Sequence, residues 1–377
     1  MNSVKILHCA DLHFDTSFSG LTSSEKQEER KEDLRETFGE IINIVKKENI
    51  QILLIAGDLF DNERVMRTTI DYLLIKFNEI QNTHIFISPG NHDPLNEKSY
   101  YNIIKWPSNV HIFTEEMGMI ELTELNTCIF GIGFSNQLEK NSLLENFEYM
   151  DKDKINILLM HGDVVSKGQN SDYNPIYIEN LEESGMDYIA LGHTHEYSKI
   201  QKAGRTFWSY SGSPEGRGFD ETGSKGIVKG EITKGSCNLE FREICKRKYF
   251  VKNLDISNTT TYEEIVHAVN VQIDDKNKEN NLYKLVLKGS VSKGFTININ
   301  LVKEKLKNYF YFLKLEDNTT YAIDYSSLEK EYSLKGIFVK KMRDKLKTIS
   351  DEREAQIIRD AIKFGMESLE EGEVIIE

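Results

Sequence analysis

The sequence predicts a layered α/β fold. Three observations carry this reading. Apolar runs that fit buried strands alternate with segments of helical periodicity through the first two hundred residues. Residues able to bind metal fall just after those runs. Glycines stand at the same places, where the chain must turn sharply or approach a site closely.

The elements follow in order. Val4–His8 reads as a strand that runs into a polar loop. Leu34, Phe38, Ile41, Ile42 and Val45 fall at helical spacing, so a helix with one apolar face is expected over Glu32–Glu48. Ile52–Ala56 is a continuous apolar run, as in a strand buried on both faces. A helix is expected over Thr68–Ile80 and a strand over His84–Ser88. Further strands are expected at Cys128–Phe134, Ile155–Met160 and Tyr188–Leu191.

The character of the chain changes near Lys246-Arg247-Lys248. Beyond it, Tyr249–Leu254, Leu282–Gly289 and Phe310–Leu315 read as strands, and Thr261–Ile273 and Ile299–Asn308 as helices. The expected organisation is a large α/β domain at 1–245, a small α+β domain at 246–326 and a charged helical tail at 327–377. Ala355, Ile358, Ile362 and Met366 give the last helix an apolar stripe.

Composition bounds the function. With 377 residues, 39% hydrophobic, the chain has material for more than one core. Its formal net charge of −14 counts against non-specific coating of nucleic acid. It does not exclude a nuclease, because charge on a remote face is screened within about 10 Å and bound cations reverse the local sign. Cys9, Cys128, Cys237 and Cys245 form no CxxC pair and are expected to be free buried thiols. No basic n-region, apolar h-region or small-residue cleavage site is seen before MNSVKILHCADLHF, so no secretory signal is expected, and no apolar run nears the ~20 residues of a membrane span. A soluble, cytoplasmic protein with no membrane association is expected.

Five segments carry the chemistry: Asp11-Leu12-His13, Gly57-Asp58-Leu59-Phe60-Asp61, Gly90-Asn91-His92-Asp93, His161-Gly162 and Gly192-His193-Thr194-His195. Taken singly, an Asp-x-His or a Gly-Asp reads as a solvated loop or a helix cap. Taken together, all five follow predicted strands, where ligands bind in α/β sheets. Asp-x-His and His-x-His place two side chains on one side of an extended segment. Carboxylate, imidazole and amide donors suit Mn²⁺, Fe or Zn²⁺ and do not suit Ca²⁺.

This series resembles the calcineurin-like metallophosphoesterase superfamily from roughly Val4 to Gly218. Within it, Cys9–His13, Gly57–Asp61, Gly192–His195 and Tyr210-Ser211-Gly212-Ser213-Pro214 look like the SbcD-type DNA-repair exonuclease branch. Ala10–Asp15 followed by Gly20-Leu21 looks like its YhaO-type bacterial members. The resemblance implies a metallophosphoesterase sandwich and two divalent metal ions. Asp11, His13 and His195 would hold the first, Asn91, His161 and His193 the second, and Asp58 would bridge both. Ions about 3.5–4 Å apart can share one phosphate and one hydroxide. His92 would face the substrate as the catalytic acid, since imidazole titrates near working pH. Asp93 would either orient His92 or cap a turn. Asp15 and Asp61 are candidates to hydrogen-bond around the site, and Arg64, Lys199, Arg205 and Arg217 to meet phosphates or stay solvated. His8, His84, His111 and His267 lie outside the motifs and read as structural or surface residues. After Asp61 the chain lacks the Pro-Ser common in the nuclease branch, which bears on the neighbouring substrate loop.

The implied function is metal-dependent hydrolysis of DNA phosphodiesters in repair, as exonuclease or endonuclease, most simply with Mn²⁺. The implied partners are DNA, an SbcC-like coiled-coil ATPase and a second copy of the chain, with the 246–326 segment capping the DNA. The stripe on the last helix could dock on such a coil or pack on its own domain. The cluster Lys340, Lys341, Arg343, Lys345 and Lys347 could face phosphates or solvent. Two rivals share the motifs: a phosphodiesterase of nucleotides or other small phosphoesters, and a non-catalytic regulatory subunit.

Overall fold

The computed structural model describes residues 2–62, 64–145, 147, 153–166, 168–273, 278–292, 294–322 and 325–371. Residues 372–377 of the expected tail lie outside that range.

The chain begins with β1 (Ser3–Cys9), α1 (Ser24–Glu48), β2 (Ile52–Ala56), α2 (Arg67–Asn78), β3 (His84–Ser88), α3 (Tyr100–Ile103) and β4 (Val110–Ile112). It continues through β5 (Gly118–Leu122), β6 (Thr127–Gly131), β7 (Ile155–His161), β8 (Asp163–Val165), β9 (Pro175–Tyr177), α4 (Ile178–Glu183), β10 (Tyr188–Gly192), β11 (Gln201–Ala203) and β12 (Thr206–Tyr210). A hairpin of β13 (Gly226–Thr233) and β14 (Ser236–Glu243) follows.

Two six-stranded sheets result, ordered β14-β13-β1-β2-β3-β4 and β11-β12-β10-β7-β6-β5. The strands that precede chemical motifs run parallel: β1 beside β2, β2 beside β3, and β7 beside β10. All their carboxyl ends therefore point the same way within each sheet. Alternation along the strands sorts side chains into layers. Leu7, Cys9, Leu53 and Ile55 pack under Phe38, Ile41 and Val45 of α1 and Leu73 and Phe77 of α2. Val4, Ile6, Ile52, Leu54 and Phe86 face Ile129, Ile157, Leu159 and Ala190 of the other sheet. The second sheet covers its outer face with Leu181, Met186 and Trp208 among others. This is the predicted α/β sandwich.

Most expected bounds shift by one or two residues, and two move further. Helix α1 starts eight residues before Glu32, where Ser23 accepts a hydrogen bond from the Lys26 N–H. Its first two turns are charged and carry no apolar stripe for periodicity to detect. They are held instead by ion pairs such as Lys26–Glu29 and by the buried Arg30. Strand β6 stops at Gly131, because the chain then leaves the sheet to pair Phe134 N–H with the Pro89 carbonyl. The hairpin β13–β14 goes beyond the elements read from the sequence; Gly235 at φ 77 makes its turn.

The remainder comprises β15 (Tyr249–Asp255), α5 (Tyr262–Gln272), β16 (Leu282–Lys288), β17 (Ser290–Val291), α6 (Ile299–Leu306), β18 (Phe312–Asp317), β19 (Thr320–Tyr321), α7 (Tyr325–Leu328), α8 (Leu334–Lys347) and α9 (Glu352–Glu371). Two compact units result. One is Met1–Lys252 with Asp275–Leu285 and Lys305–Leu315; the other is Asn253–Asp274, Val286–Glu304 and Glu316–Glu377. A capping box on Thr261 and Glu264 starts α5. In the second unit, Ile358, Ile362 and Met366 pack against Val339, Phe338 and Met342 of α8. Ala355 is buried as well. The stripe on the last helix thus covers its neighbour and is not a free docking face. Arg343 pairs with Glu329 and Lys347 with Asp344, on a solvated helix. Among the described residues, no helix is long and apolar enough to cross a membrane.

Candidate metal centre

The loops after β1 and β2 lie side by side. Asp11 N–H donates to the Gly57 carbonyl (3.1 Å), His13 N–H to Asp58 (2.9 Å) and Phe14 N–H to Leu59 (2.9 Å). In the second sheet, Gly162 N–H donates to the Gly192 carbonyl (3.2 Å). These links gather the ends of β1 and β2 in one sheet and of β7 and β10 in the other. Asp11, His13, Asp58 and His193 all sit at positive φ, at 54°, 47°, 50° and 105°. Such backbone is costly for residues other than glycine and clusters at functional sites.

Glycines admit the contacts. A side-chain carbon on Gly57 would stand 2.1 Å from His161 Nδ1, and one on Gly90 would stand 2.2 Å from Asp58 Oδ1. Only a hydrogen atom fits at either place.

Among the described residues, three overlapping groups of side chains could hold a metal ion: Asp11, His13 and His195; His13, Asp58 and His92; and Asp11, Asp58 and His161. Asn91 joins through its amide oxygen, 3.0 Å from His161 Nε2 and 3.1 Å from His193 Nδ1. Asp58 Oδ2 lies 3.6 Å from His13 Nε2 and 3.5 Å from His161 Nε2, between the two sets. All seven residues expected at a metal site therefore converge.

The tautomers follow from the partners. His161 Nδ1 faces the Ala56 carbonyl at 2.9 Å, and a carbonyl only accepts. Its Nε2 therefore carries the lone pair. His193 Nε2 faces Asp163 Oδ1 at 3.3 Å, which leaves its Nδ1 as the lone pair. Two imidazole lone pairs and the Asn91 oxygen then point at one another. On the other side, His195 Nδ1 donates to Glu221 Oε1 (2.9 Å), and its Nε2 lies 3.3 Å from His13 Nε2. Facing lone pairs repel unless a cation lies among them. The donor set and its orientation fit divalent cations.

Electrostatics agree. Burial holds His193 down to about 4 and His13 well below the usual imidazole range, so both rings are neutral and able to ligate. Burial pushes the Asp11 carboxyl up. Burial also acts to raise Asp58, but the surrounding imidazoles of His161, His13 and His92 and the His92 N–H hydrogen bond outweigh it and hold it low.

His92 is half-buried and differs from the rest. Its N–H donates to Asp58 Oδ1 (2.9 Å), and its Nδ1–H donates to the Asp61 carbonyl (2.9 Å). Asp93 does not take part in that arrangement. Its carboxylate accepts from Gly90 N–H (2.7 Å), Phe60 N–H (3.1 Å) and Tyr101 O–H (2.6 Å). Those bonds hold the turn, so of the two roles expected for Asp93 the geometry matches the cap, and the backbone of Asp61 orients His92. Burial, with the Asp58 charge, lifts the Asp93 carboxyl to about 7.

Around the centre, Asp61 Oδ1 lies 3.3 Å from both His13 Nδ1 and Arg217 Nη1. Asp15 faces away, accepting from Met66 N–H and Thr69 O–H at the start of α2. Arg217 is drawn to His195 (3.1 Å) and Glu221 (3.0 Å), while Arg64, Lys199 and Arg205 are exposed. Glu221 and Asp163 escaped the sequence reading. Asp163 stood two residues from His161; Glu221 lies 26 residues beyond His195, in no motif. His8 bonds within the core to Tyr188 and the Leu191 carbonyl, His84 pairs with Glu124, and His111 lies against Phe113.

Comparisons with known proteins give the family. The family described as calcineurin-like phosphoesterase matches residues 4–197. The metallophosphoesterase YhaO of Bacillus subtilis is 25% identical, covering 98% of this chain and 95% of that protein. The DNA double-strand break repair protein Mre11 of Sulfurisphaera tokodaii is 26% identical, covering 85% of this chain and 82% of its own. A subunit of the nuclease SbcCD of Bacillus subtilis is 26% identical, covering 58% of this chain and 64% of its own. With strand-end loops that bring acid, amide and imidazole donors together, the chain belongs to the calcineurin-like phosphoesterases, hydrolases of phosphoester bonds that use divalent metals.

Proposed function

We propose that the chain is a two-metal DNA nuclease, with Asp11, His13 and His195 on one ion, Asn91, His161 and His193 on the other, and Asp58 between them. The observation that carries the reading is the place of Asp58 Oδ2, 3.6 Å from His13 Nε2 and 3.5 Å from His161 Nε2. One oxygen flanked by two imidazoles of different sets suits a bridging ligand. Bound ions would supply an activated water and neutralise charge on the phosphoryl oxygens. The mixed donor set suits Mn²⁺.

The chain's own groups do the rest. Glu221 keeps the His195 Nδ1 proton in place, and the Ala56 carbonyl does the same for His161. His92 is held through its Nδ1–H by the Asp61 carbonyl, and in its doubly protonated form it would give the Nε2 proton to the leaving oxygen, leaving the neutral ring. Asp93 holds the turn that carries Asn91 and His92.

DNA as substrate draws support from the Mre11 and SbcCD relatives. The SbcCD relative is named as part of a larger nuclease, and we extend that to this chain as a coiled-coil ATPase partner. Purified protein with Mn²⁺ should release nucleotides from an end-labelled DNA strand, and chelation should stop it. Cleavage of a small chromogenic phosphodiester without cleavage of DNA would replace the nuclease with a small-ester phosphodiesterase. No hydrolysis of either with Mn²⁺, Fe²⁺ or Zn²⁺ would remove the catalytic reading.

A further inference from the structure

We infer that the cavity next to the metal centre is a nucleoside subsite, which takes the sugar and base attached to the phosphate under attack. The inference rests on the phosphoesterase reading and names the part of the substrate that is recognised.

The cavity has a volume of about 410 Å³ and is walled by Thr16–Leu21, Arg217–Glu221, Tyr249 and Lys314. Sites for small molecules run from about 300 to 1,000 Å³. It adjoins the centre through shared walls. Glu221 Oε1 accepts from His195 Nδ1 at 2.9 Å, and Arg217 Nη2 lies 3.1 Å from the same nitrogen. Thr16 N–H donates to the His13 carbonyl at 3.1 Å. A phosphoester bound to an ion held by Asp11, His13 and His195 would thus have this cavity beside its organic substituent.

The lining selects the chemistry. Arg217 and Lys314 are balanced by Asp220 and Glu221, and Arg217 is already engaged by Glu221 at 3.0 Å and Asp61 at 3.3 Å. A second phosphate would meet no net positive charge. The inner wall is aromatic: Phe18 and Tyr249 are buried, and Phe219 stands half-buried, edge-on to Tyr249 with centroids 5.1 Å apart. Hydroxyls of Thr16, Ser17 and Ser19 complete the lining. A neutral, aromatic-backed cavity with hydroxyl groups fits a sugar and base.

The cavity is also preformed. The Arg30 guanidinium lies 5.4 Å from the Phe18 ring and 5.8 Å from the Tyr249 ring. Arg30 is itself fixed by Glu215 at 2.6 Å and Asp33 at 2.8 Å. Phe18 holds a φ of 47°, so this stretch keeps a defined, strained shape.

Two variants test the subsite. A carbon added at Gly20 meets no atom within 4 Å, so Gly20→Trp fits the backbone and brings a ring to the cavity wall. Phe219→Ala removes the accessible ring. The readout is the ratio of KM for the dinucleotide TpT to KM for methyl p-nitrophenyl phosphate, with bound Mn²⁺ counted in each protein. The ratio should rise about tenfold in both variants, the scale of one lost aromatic contact. Saturation-transfer NMR with thymidine and metal-free protein gives a second readout, independent of turnover. Transfer to thymidine should be lost in Gly20→Trp. An unchanged KM ratio in both variants, with thymidine transfer intact, would overturn the subsite, and so would an equal rise for both esters. A protein inactive on both esters whose thymidine signal vanishes in Gly20→Trp would uphold the subsite and overturn the phosphoesterase reading.

Discussion

Gly192 faces the carbonyl oxygen of Ala56, and a side-chain carbon at Gly192 would stand 1.8 Å from that oxygen. The two residues end β10 and β2, one in each sheet. The sandwich therefore closes over backbone at the point where His193 and Asp58 begin their loops. Gly192→Ala must push these strand ends apart, since the obstacle is backbone. We expect a loss of about 1–3 kcal/mol of stability and the loss of at least one bound Mn²⁺. Gly20→Ala, in open space, should stay within about 0.5 kcal/mol of wild type. Urea melts and metal analysis of the two proteins make the comparison. Full Mn²⁺ stoichiometry in Gly192→Ala would show that the contact does not shape the centre.

The His195–Glu221 pair gives a pH-dependent prediction. Burial alone would raise the Glu221 carboxyl, but the His195 hydrogen bond and the Arg217 charge hold it well below the usual range. Burial would lower His195, but Glu221 and Asp11 raise it. In metal-free protein, the Glu221 contribution is present above its unfolded pKa of about 4.3 and is lost as pH falls through the lower folded value. The His195 contribution is full below about 6.5 and is lost as pH rises through the higher folded value. Metal-free wild type should therefore gain most from this pair between about pH 4.3 and 6.5. Glu221→Gln should flatten that optimum and weaken Mn²⁺ binding about 10–100-fold. Chemical denaturation across pH, with calorimetric titration of Mn²⁺, reads both. An unaltered pH profile would mean that the pair carries no linkage.

Arg30 offers a test of the frame behind the cavity. It is fully buried and bonds Glu215 (2.6 Å), Asp33 (2.8 Å) and the Gly216 carbonyl (3.0 Å). Arg30→Met leaves the buried Glu215 without its cation, which costs about 3–5 kcal/mol. Burial already acts to raise the Glu215 carboxyl. Adding Glu215→Gln should recover much of the loss, since the uncompensated charge is gone. Equal stability of the single and double variants would place the cost in packing.

The parts legible in the sequence share one property: they are local. Ile52–Ala56 and His84–Ser88 read as strands because a parallel strand buried on both faces is apolar throughout, and both bounds match. The seven donors were legible because they follow such strands in short motifs. Glu221 was not, because a fold that spans 26 residues brings it to His195. The first turns of α1 escaped because ion pairs and Arg30, with no apolar stripe, hold them. Strand β13 escaped because its neighbour β1 lies over two hundred residues away in sequence, and no local pattern encodes that pairing. The stripe of α9 was visible, but periodicity identifies an apolar face without naming what covers it; α8 does.

His92 separates binding from turnover. Its Nδ1 is held by the Asp61 carbonyl, and its backbone N–H donates to Asp58 Oδ1, a bond that does not depend on the imidazole. Replacing the ring should therefore leave Asp58 and the other donors where they are. His92→Asn should retain both Mn²⁺ ions while kcat falls about 10²–10⁴-fold, the usual worth of a positioned proton donor. KM should change far less, because the phosphate would be held by the metals. An ester with a good leaving group, such as p-nitrophenolate, needs less protonation and should suffer less than DNA. If the variant lost metal in proportion to activity, His92 would be a ligand; if it kept its metal and its full activity, His92 would have no part in the reaction.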